Sequence, residues 1–140
     1  HLAFVEAALK DGYKEDSDMN NPDSSGVGPI PMNNPEGIRM STALTYLSAV
    51  RHCLNLTIRP NVTVRRILFD GKKAEGVEVE SGGEIYRLDA DQIVLSSGAM
   101  ASPQLLMLSG VGPAGHLREM GIPVVHDLPG VGQNLRDHPI

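Results

Sequence analysis

The 140-residue sequence contains no tryptophan, and aromatic residues make up only 4% of it. Proteins that hold single-stranded nucleic acid stack bases on aromatic side chains, so this composition argues against such a platform. Lysine and arginine form no dense block, and the formal net charge is -5. A nucleic acid or an anionic membrane surface requires a concentrated positive field, which this chain lacks. These absences favour a protein that acts on small molecules.

Cysteine and long apolar runs are also scarce. The single cysteine, Cys53, cannot form an internal disulfide, which favours a reduced, cytoplasmic setting. No apolar stretch approaches the roughly 20 residues that a membrane-spanning helix needs. His116, His126 and His138 do not have the spacing of a recognised metal site, so we expect no metal. The sequence therefore predicts neither a nucleic-acid partner nor a membrane-spanning segment.

The length is sufficient for one ordinary domain with a core of its own. The sequence starts at His1 without an initiator methionine and stops abruptly at Ile140, and we therefore expect it to be a piece from the middle of a longer protein.

The N-terminal part of the sequence reads as helices joined by a long connection. A short helix is predicted over Phe4–Lys10, and Asp16–Asn34 is rich in the small and polar residues of irregular segments. Ser41 is placed as the N-cap of a second helix, whose apolar face has helical spacing and comprises Leu44, Leu47 and Val50.

The middle of the sequence changes to the period of β-strands. Leu56–Arg59 is the first strand-like run, and three longer runs follow it, separated by glycine-containing turns that favour hairpins. We predict a β-meander of three antiparallel strands from those three runs, Val62–Phe69, Ala74–Glu80 and Glu84–Leu88.

A continuous apolar run, Gln92–Leu95, follows the predicted meander and is typical of a parallel strand buried on both faces. Small residues come next, and Ser102 with Pro103 is placed to begin a helix, as its N-cap and its first residue. Ligands of open α/β sheets collect beyond the ends of such strands, where helix N-termini offer amide donors. The residues alone predict either a ligand cradle or tight strand-to-helix packing.

The segment Gly98–Gly112 carries a longer pattern. It has a small pair, two free positions, Ser-Pro, one free position, two aliphatic residues, two free positions and then Ser-Gly-aliphatic-Gly. This pattern resembles the second signature of the glucose–methanol–choline (GMC) family of FAD-dependent oxidoreductases. Leu117–Pro139 is similar to the segment that follows this signature in choline-dehydrogenase-like members, and Gly37–Leu47 is similar to the middle region of the family.

The resemblance implies an enzyme that oxidises the CH–OH group of a primary alcohol by hydride transfer to the flavin of FAD. It also implies a mixed α/β (α+β) fold. Residues 1–58 would be part of an antiparallel-sheet substrate domain with a connecting helix. Residues 59–140 would be part of a Rossmann-like FAD-binding domain that contains the meander, with a loop leading back to the substrate domain.

The family pattern carries few site residues onto this sequence. Val64 matches a position whose backbone contacts the adenine end of FAD, and the turn Ser97-Gly98-Ala99 would lie against the cofactor. Ser102 is added on physical grounds as a helix cap beside that turn. No role follows from the motif for Asn134 or His138. The stretch Asn33–Gly37 would either line the alcohol pocket or form an ordinary turn.

The family's Gly-x-Gly-x-x-Gly fingerprint is absent from this sequence, and so is the segment that supplies its catalytic histidine and the partner of that histidine. That histidine is the general base in the family, so we assign no catalytic residue and expect this chain to be inactive alone. The alcohol and the electron acceptor stay open. The alternatives are an oxidase or a lyase of the same fold, or a non-catalytic α/β binding module.

Overall fold

The computed structural model describes residues 2–137 and divides the chain into two compact units, His1–Thr57 and Ile58–Ile140. We describe each unit by itself. The assignment of residues 1–58 to a substrate domain and of residues 59–140 to an FAD-binding domain stays a prediction.

The N-terminal unit begins with helix α1, Leu2–Lys10, where the sequence predicts a helix. None of its residues is buried. The chain beyond it is irregular, as predicted, apart from an isolated parallel bridge between Glu15 and Val27. The amide of Asp16 donates to the Val27 carbonyl at 3.0 Å. This hydrogen bond holds the middle of the long connection next to its first residues.

The Asp16 carboxylate organises the connection. Ser24 Oγ donates to Asp16 Oδ2 at 2.6 Å, and the amide of Asp18 donates to Asp16 Oδ1 at 3.0 Å. The Ser24 hydroxyl, followed by the amides of Asp18 and Ser25, lowers the pKa of Asp16 below its ordinary 3.8 because each donor stabilises the ionised form.

We expect Ser24→Ala to raise the pKa of Asp16 toward 3.8, as measured by NMR titration of its carboxyl carbon. A depressed pKa stabilises the folded connection above pH 3.8, and this contribution disappears as the pH falls through the folded value. Ser25→Ala is the matched control because Ser25 contributes only its amide. An equal pKa of Asp16 in the Ser24 variant and in wild type would contradict the assignment.

The second helical segment has an irregular centre. The N-cap prediction for Ser41 is confirmed, since its Oγ accepts the amide of Leu44 at 3.4 Å. A π-helical turn, Ala43–Leu47, then runs into the short helix α2, Ser48–Val50. Both the amide and the hydroxyl of Ser48 donate to the Ala43 carbonyl, and this i to i−5 contact widens the turn. The sequence predicts an ordinary helix here and misses the π turn.

The C-terminal unit is built on the predicted meander. Strands β1 (Thr63–Asp70), β2 (Lys73–Ser81) and β3 (Glu84–Asp89) form an antiparallel sheet in the order β1-β2-β3. The mixed α/β fold class is therefore confirmed. Leu56–Arg59 forms no strand, so that prediction is wrong. Among residues 2–137 no other segment pairs with it to form a ladder.

Helix α3, Gly98–Leu108, packs on β1 and closes the core of this unit. Ile67, Val79 and Leu105 are buried there. Ser109 is the one buried polar residue among residues 2–137, and both its hydrogen-bonding functions are used. Its Oγ accepts the amide of Ile67 at 2.8 Å and donates to the Leu105 carbonyl at 2.6 Å, which locks the end of α3 onto β1.

The chain after α3 forms a small parallel pair. Strands β4 (Val111–Gly112) and β5 (His126–Asp127) flank helix α4, Ala114–Glu119, whose Leu117 is fully buried. Asp127 Oδ1 accepts the amide of Ala114 at 3.0 Å and so satisfies a free donor at the start of α4. No helix within residues 2–137 is both long enough and apolar enough to cross a membrane.

The predicted buried strand Gln92–Leu95 is not observed. The segment has no ladder partner in the described part of the chain, and Val94 is 85% exposed. A strand needs at least one neighbour with which to form a ladder, and none of the strands described above pairs with this segment. The apolar composition of the run is therefore not matched by burial within this chain.

Candidate functional site

The turn that begins α3 leaves its backbone open. Ser97 is the N-cap residue, and Gly98 has φ +86°, a left-handed conformation in which a side chain would be strained. A Cβ placed on Gly98 would meet no atom within 4 Å. Glycine is thus required here by backbone conformation and not by crowding. Within the described residues the turn faces free space, which argues against the alternative of tight strand-to-helix packing.

Ser102 does not cap the helix, and the prediction that it does is wrong. Helix α3 begins at Gly98, so Ser102 lies inside the helix, and its Oγ accepts the amide of Ser97 at 3.2 Å. Ser102 therefore stabilises the turn from within the first turns of the helix. Its position beside the predicted cofactor turn is as expected, although its role is different.

Pro103 also lies inside α3 and not at its first position. Proline has no N–H, so the carbonyl four residues earlier, that of Ala99, lacks the usual α-helical donor. The turn offers the free amides at the start of α3 as donors to a bound molecule.

A cavity of about 650 Å³ lies beside the first turns of α3. Its volume falls in the range of roughly 300–1,000 Å³ that is usual for small-molecule sites. The helix and one loop provide its walls, which are Ala99, Met100, Pro103 and Met107 on α3 and Gly132, Gln133, Asn134, Leu135 and Arg136 on the loop.

The loop is held against α3 by local structure. Val131 is buried, and its amide donates to the Leu128 carbonyl at 3.1 Å. Gly132 follows with φ +77°, and a Cβ there would lie 3.6 Å from Met107 Cε. Asn134 also has a left-handed backbone, with φ +55°. These conformations turn the polar segment toward the helix.

The cavity wall has an apolar part and a polar part. Met100, Pro103 and Met107 offer an apolar surface suited to a flat ring, and Ala99 and Gly132 let a ligand approach the backbone closely. Gln133 and Asn134 supply amide donors and acceptors, and Arg136 supplies a cation. The cavity can therefore hold a molecule that has a flat apolar part and oxygen-rich or anionic groups.

The structure places the predicted site residues in two locations. Ser97, Gly98 and Ser102 form the turn, and Ala99 lines the cavity. Val64 is on β1 opposite Val79, is 41% exposed and is not part of the cavity wall. Sequence reasoning misses the loop at 132–136, although glycine at 130 and 132 before a polar cluster is a signal that could have found it.

The histidines do not add to this site. His116 and His126 lie outside the cavity wall, and His138 lies outside the described residues. Among residues 2–137, no group of at least three His, Cys, Asp or Glu side chains is arranged to hold a metal ion.

The sheet-backed helix, its open glycine turn and the cavity beside it belong to a chain of the mixed α/β class. The GMC oxidoreductase family model matches residues 2–140. The chain belongs to the GMC oxidoreductase family, whose cofactor is FAD.

Individual relatives agree with this placement. The chain is 45% identical to the oxygen-dependent choline dehydrogenase of Photobacterium profundum, over 99% of this chain and 24% of that protein. Pyridoxine 4-oxidase from Mesorbium loti has a TM-score of 0.83 at 37% identity, with 91% of this chain and 25% of that chain covered.

A second solved structure, an FAD-dependent oxidoreductase from Chaetomium thermophilum, has a TM-score of 0.84 at 36% identity. The match covers 96% of this chain and 24% of that one. The chain thus spans about a quarter of the length of these relatives.

Proposed function

We propose that this chain is the part of an FAD-dependent alcohol oxidoreductase that holds the cofactor between the start of α3 and the loop at 132–136. The cavity of about 650 Å³ beside Ala99 is the observation that supports the proposal most strongly. The family match supplies the identity of the cofactor.

The residues of the cavity fit FAD chemically. The amides of the open turn at Gly98 and Ala99 would donate to oxygen atoms of the ligand, and the small side chain of Ala99 would let the cofactor lie against the backbone. Met107 and Pro103 pack against a flat face. Arg136 balances negative charge and Asn134 orients polar groups. FAD, when bound, supplies the acceptor for the hydride of the alcohol.

Val64 is proposed to contact the adenine end of FAD through its backbone. The β1–β2 register shifts between Val64 and Arg66, so this part of β1 departs from a regular ladder. Such bulges re-aim a strand and leave backbone groups free. The exposed edge at Val64 is thus able to offer peptide groups to a ligand.

We propose a primary alcohol as the substrate, with choline as the first candidate, because one relative is named a choline dehydrogenase. The second candidate is an oxidase reaction, since another relative is named for pyridoxine and for oxidase activity. The residues 1–58 would contribute to the substrate domain. The cytoplasmic location expected from the single cysteine stays a prediction.

Stopped-flow reduction of the full-length flavoprotein tests the reaction. Choline is expected to bleach the flavin under anaerobic conditions, and admission of oxygen then separates an oxidase from a dehydrogenase by the rate of reoxidation. The isolated 140 residues are expected to oxidise no alcohol, because no general base is assigned within them. No bleaching by any primary alcohol would refute the proposal, and a yellow, alcohol-oxidising preparation of the 140 residues would refute the expected inactivity.

A further inference from the structure

A second cavity, of about 690 Å³, lies within the N-terminal unit. It shares no lining residue with the cavity beside α3. The walls come from one loop and from the beginning of the segment that follows it, and they consist of Met32, Asn33, Asn34, Gly37, Arg39, Met40, Ser41 and Thr42.

The loop that forms this cavity is closed at its ends. The amide of Met40 donates to the Asn33 carbonyl at 2.9 Å, and Asn33 Nδ2 donates to the Met40 carbonyl. The amide of Ile38 donates to the Pro35 carbonyl at 3.0 Å within the loop. Because these bonds already hold the loop in one shape, a ligand would bind with little loss of conformational entropy.

The loop also contains backbone strain. Glu36 has φ +53° and Gly37 has φ +77°, and the left-handed region is unfavourable for a glutamate. Strained residues persist where the surrounding structure holds them, and they cluster at active sites, ligand clamps and switch regions. Gly37 is part of the cavity wall and Glu36 is not.

Arg39 is the one charged residue among the described residues of the wall. Its guanidinium makes no hydrogen bond or ion pair within residues 2–137. No carboxylate among the described residues lines the cavity, so the five N–H donors of Arg39 are not neutralised there. The amide of Asn34 and the hydroxyl of Thr42 add neutral donors to the same wall.

The donor set selects the ligand. A planar guanidinium matches the two oxygens of a carboxylate or a phosphate, and it repels a quaternary ammonium group. We propose that the Arg39 cavity binds an oxyanion, a phosphate or a carboxylate group of a small molecule. This site goes beyond the alcohol oxidation proposed above, because choline carries no anionic group that would pair with Arg39.

Calorimetric titration of the full-length protein with inorganic phosphate, diphosphate and acetate tests the proposal. We expect saturable binding that weakens at least about tenfold in Arg39→Gln, because the charge-assisted bonds are lost. Arg51→Gln is the control, since Arg51 is exposed in the same unit but does not line the cavity. Stronger binding of phosphate and diphosphate would assign a phosphorylated ligand, and stronger binding of acetate would assign a carboxylate ligand.

Arg39→Lys keeps the positive charge but loses the planar arrangement of donors that can bind two oxygens at once. We expect this variant to bind the anion with intermediate affinity. If circular dichroism shows that Arg39→Gln is not folded, the comparison is made between wild type and Arg39→Lys. Binding of FAD is expected to be unchanged in all three variants, which separates this site from the cofactor site. Equal affinities in wild type and both Arg39 variants, or no saturable binding of any of the three anions, would overturn the proposal.

Discussion

Replacement of Gly110 by alanine is expected to destabilise the C-terminal unit by about 2–5 kcal/mol, the sum of a left-handed backbone penalty and overpacking. Gly110 has φ +85°, and a Cβ there would lie 2.4 Å from the Pro123 carbonyl oxygen and 2.9 Å from Val125 Cγ2. The Gly110 carbonyl accepts the amides of Val125 at 2.8 Å and His126 at 3.1 Å. Any side chain at this position would separate the two segments.

The measurement is urea unfolding of Gly110→Ala beside Gly115→Ala. Gly115 lies inside α4 without a left-handed φ, and a Cβ added there would meet nothing within 4 Å. Alanine there is expected to be neutral or to stabilise by up to about 1 kcal/mol, because it is the better helix former. Equal unfolding free energies for the two variants would show that the close approach at Gly110 is not as described.

Replacement of Ala99 by tryptophan is expected to weaken FAD binding at least about 100-fold, or roughly 2.7 kcal/mol. Ala99 lies on the cavity wall at the start of α3, and the helix face that continues from it carries Pro103 and Met107. An indole at position 99 would fill the space that the cofactor requires. The measurement is flavin fluorescence titration of the full-length apoprotein.

Ala101→Trp is the matched control for this substitution. Ala101 is exposed on the same helix and does not line the cavity. Its replacement adds the same bulk and the same change in helix propensity, so FAD affinity is expected to stay within about threefold of wild type. A parallel loss of affinity in both variants would indicate damage to α3 as a whole and would contradict the proposed role of Ala99.

Local signals explain which parts of the fold could be predicted. The β-meander follows from alternation within each strand and from glycine at Gly71, Gly82 and Gly83, all with positive φ. The residue types that favour a turn and the alternation of side chains along a strand involve only a few neighbouring residues. Both can therefore be recognised in the sequence itself. The capping hydroxyl of Ser41 is another such short-range signal.

Errors arise where a local pattern depends on distant partners. The apolar run Gln92–Leu95 has the composition of a buried strand. Apolar composition favours burial, but it does not show whether a neighbouring strand is present to pair with the run. Ser102-Pro103 matches the pattern of a helix start, and the sequence therefore predicts the start of α3 there, whereas the helix begins at Gly98.

Only half of the candidate site is predictable, for the same reason. The turn Ser97-Gly98-Ala99 is one continuous segment with a recognisable pattern. The loop at 132–136 reaches the cavity through tertiary packing, in which Val131 is buried and Gly132 lies against Met107. The two segments are about 30 residues apart, and the glycines at 130 and 132 before the polar cluster are the local signal for the loop, but they do not state which helix it approaches.

A crystal structure of the full-length protein with FAD bound would show whether the cavity beside α3 holds the cofactor. We expect van der Waals contact between FAD and the backbone of Ser97, Gly98 and Ala99, with the loop at 132–136 on the opposite side of the cofactor. A structure in which protein side chains fill this cavity and FAD contacts neither the turn nor the loop would contradict it.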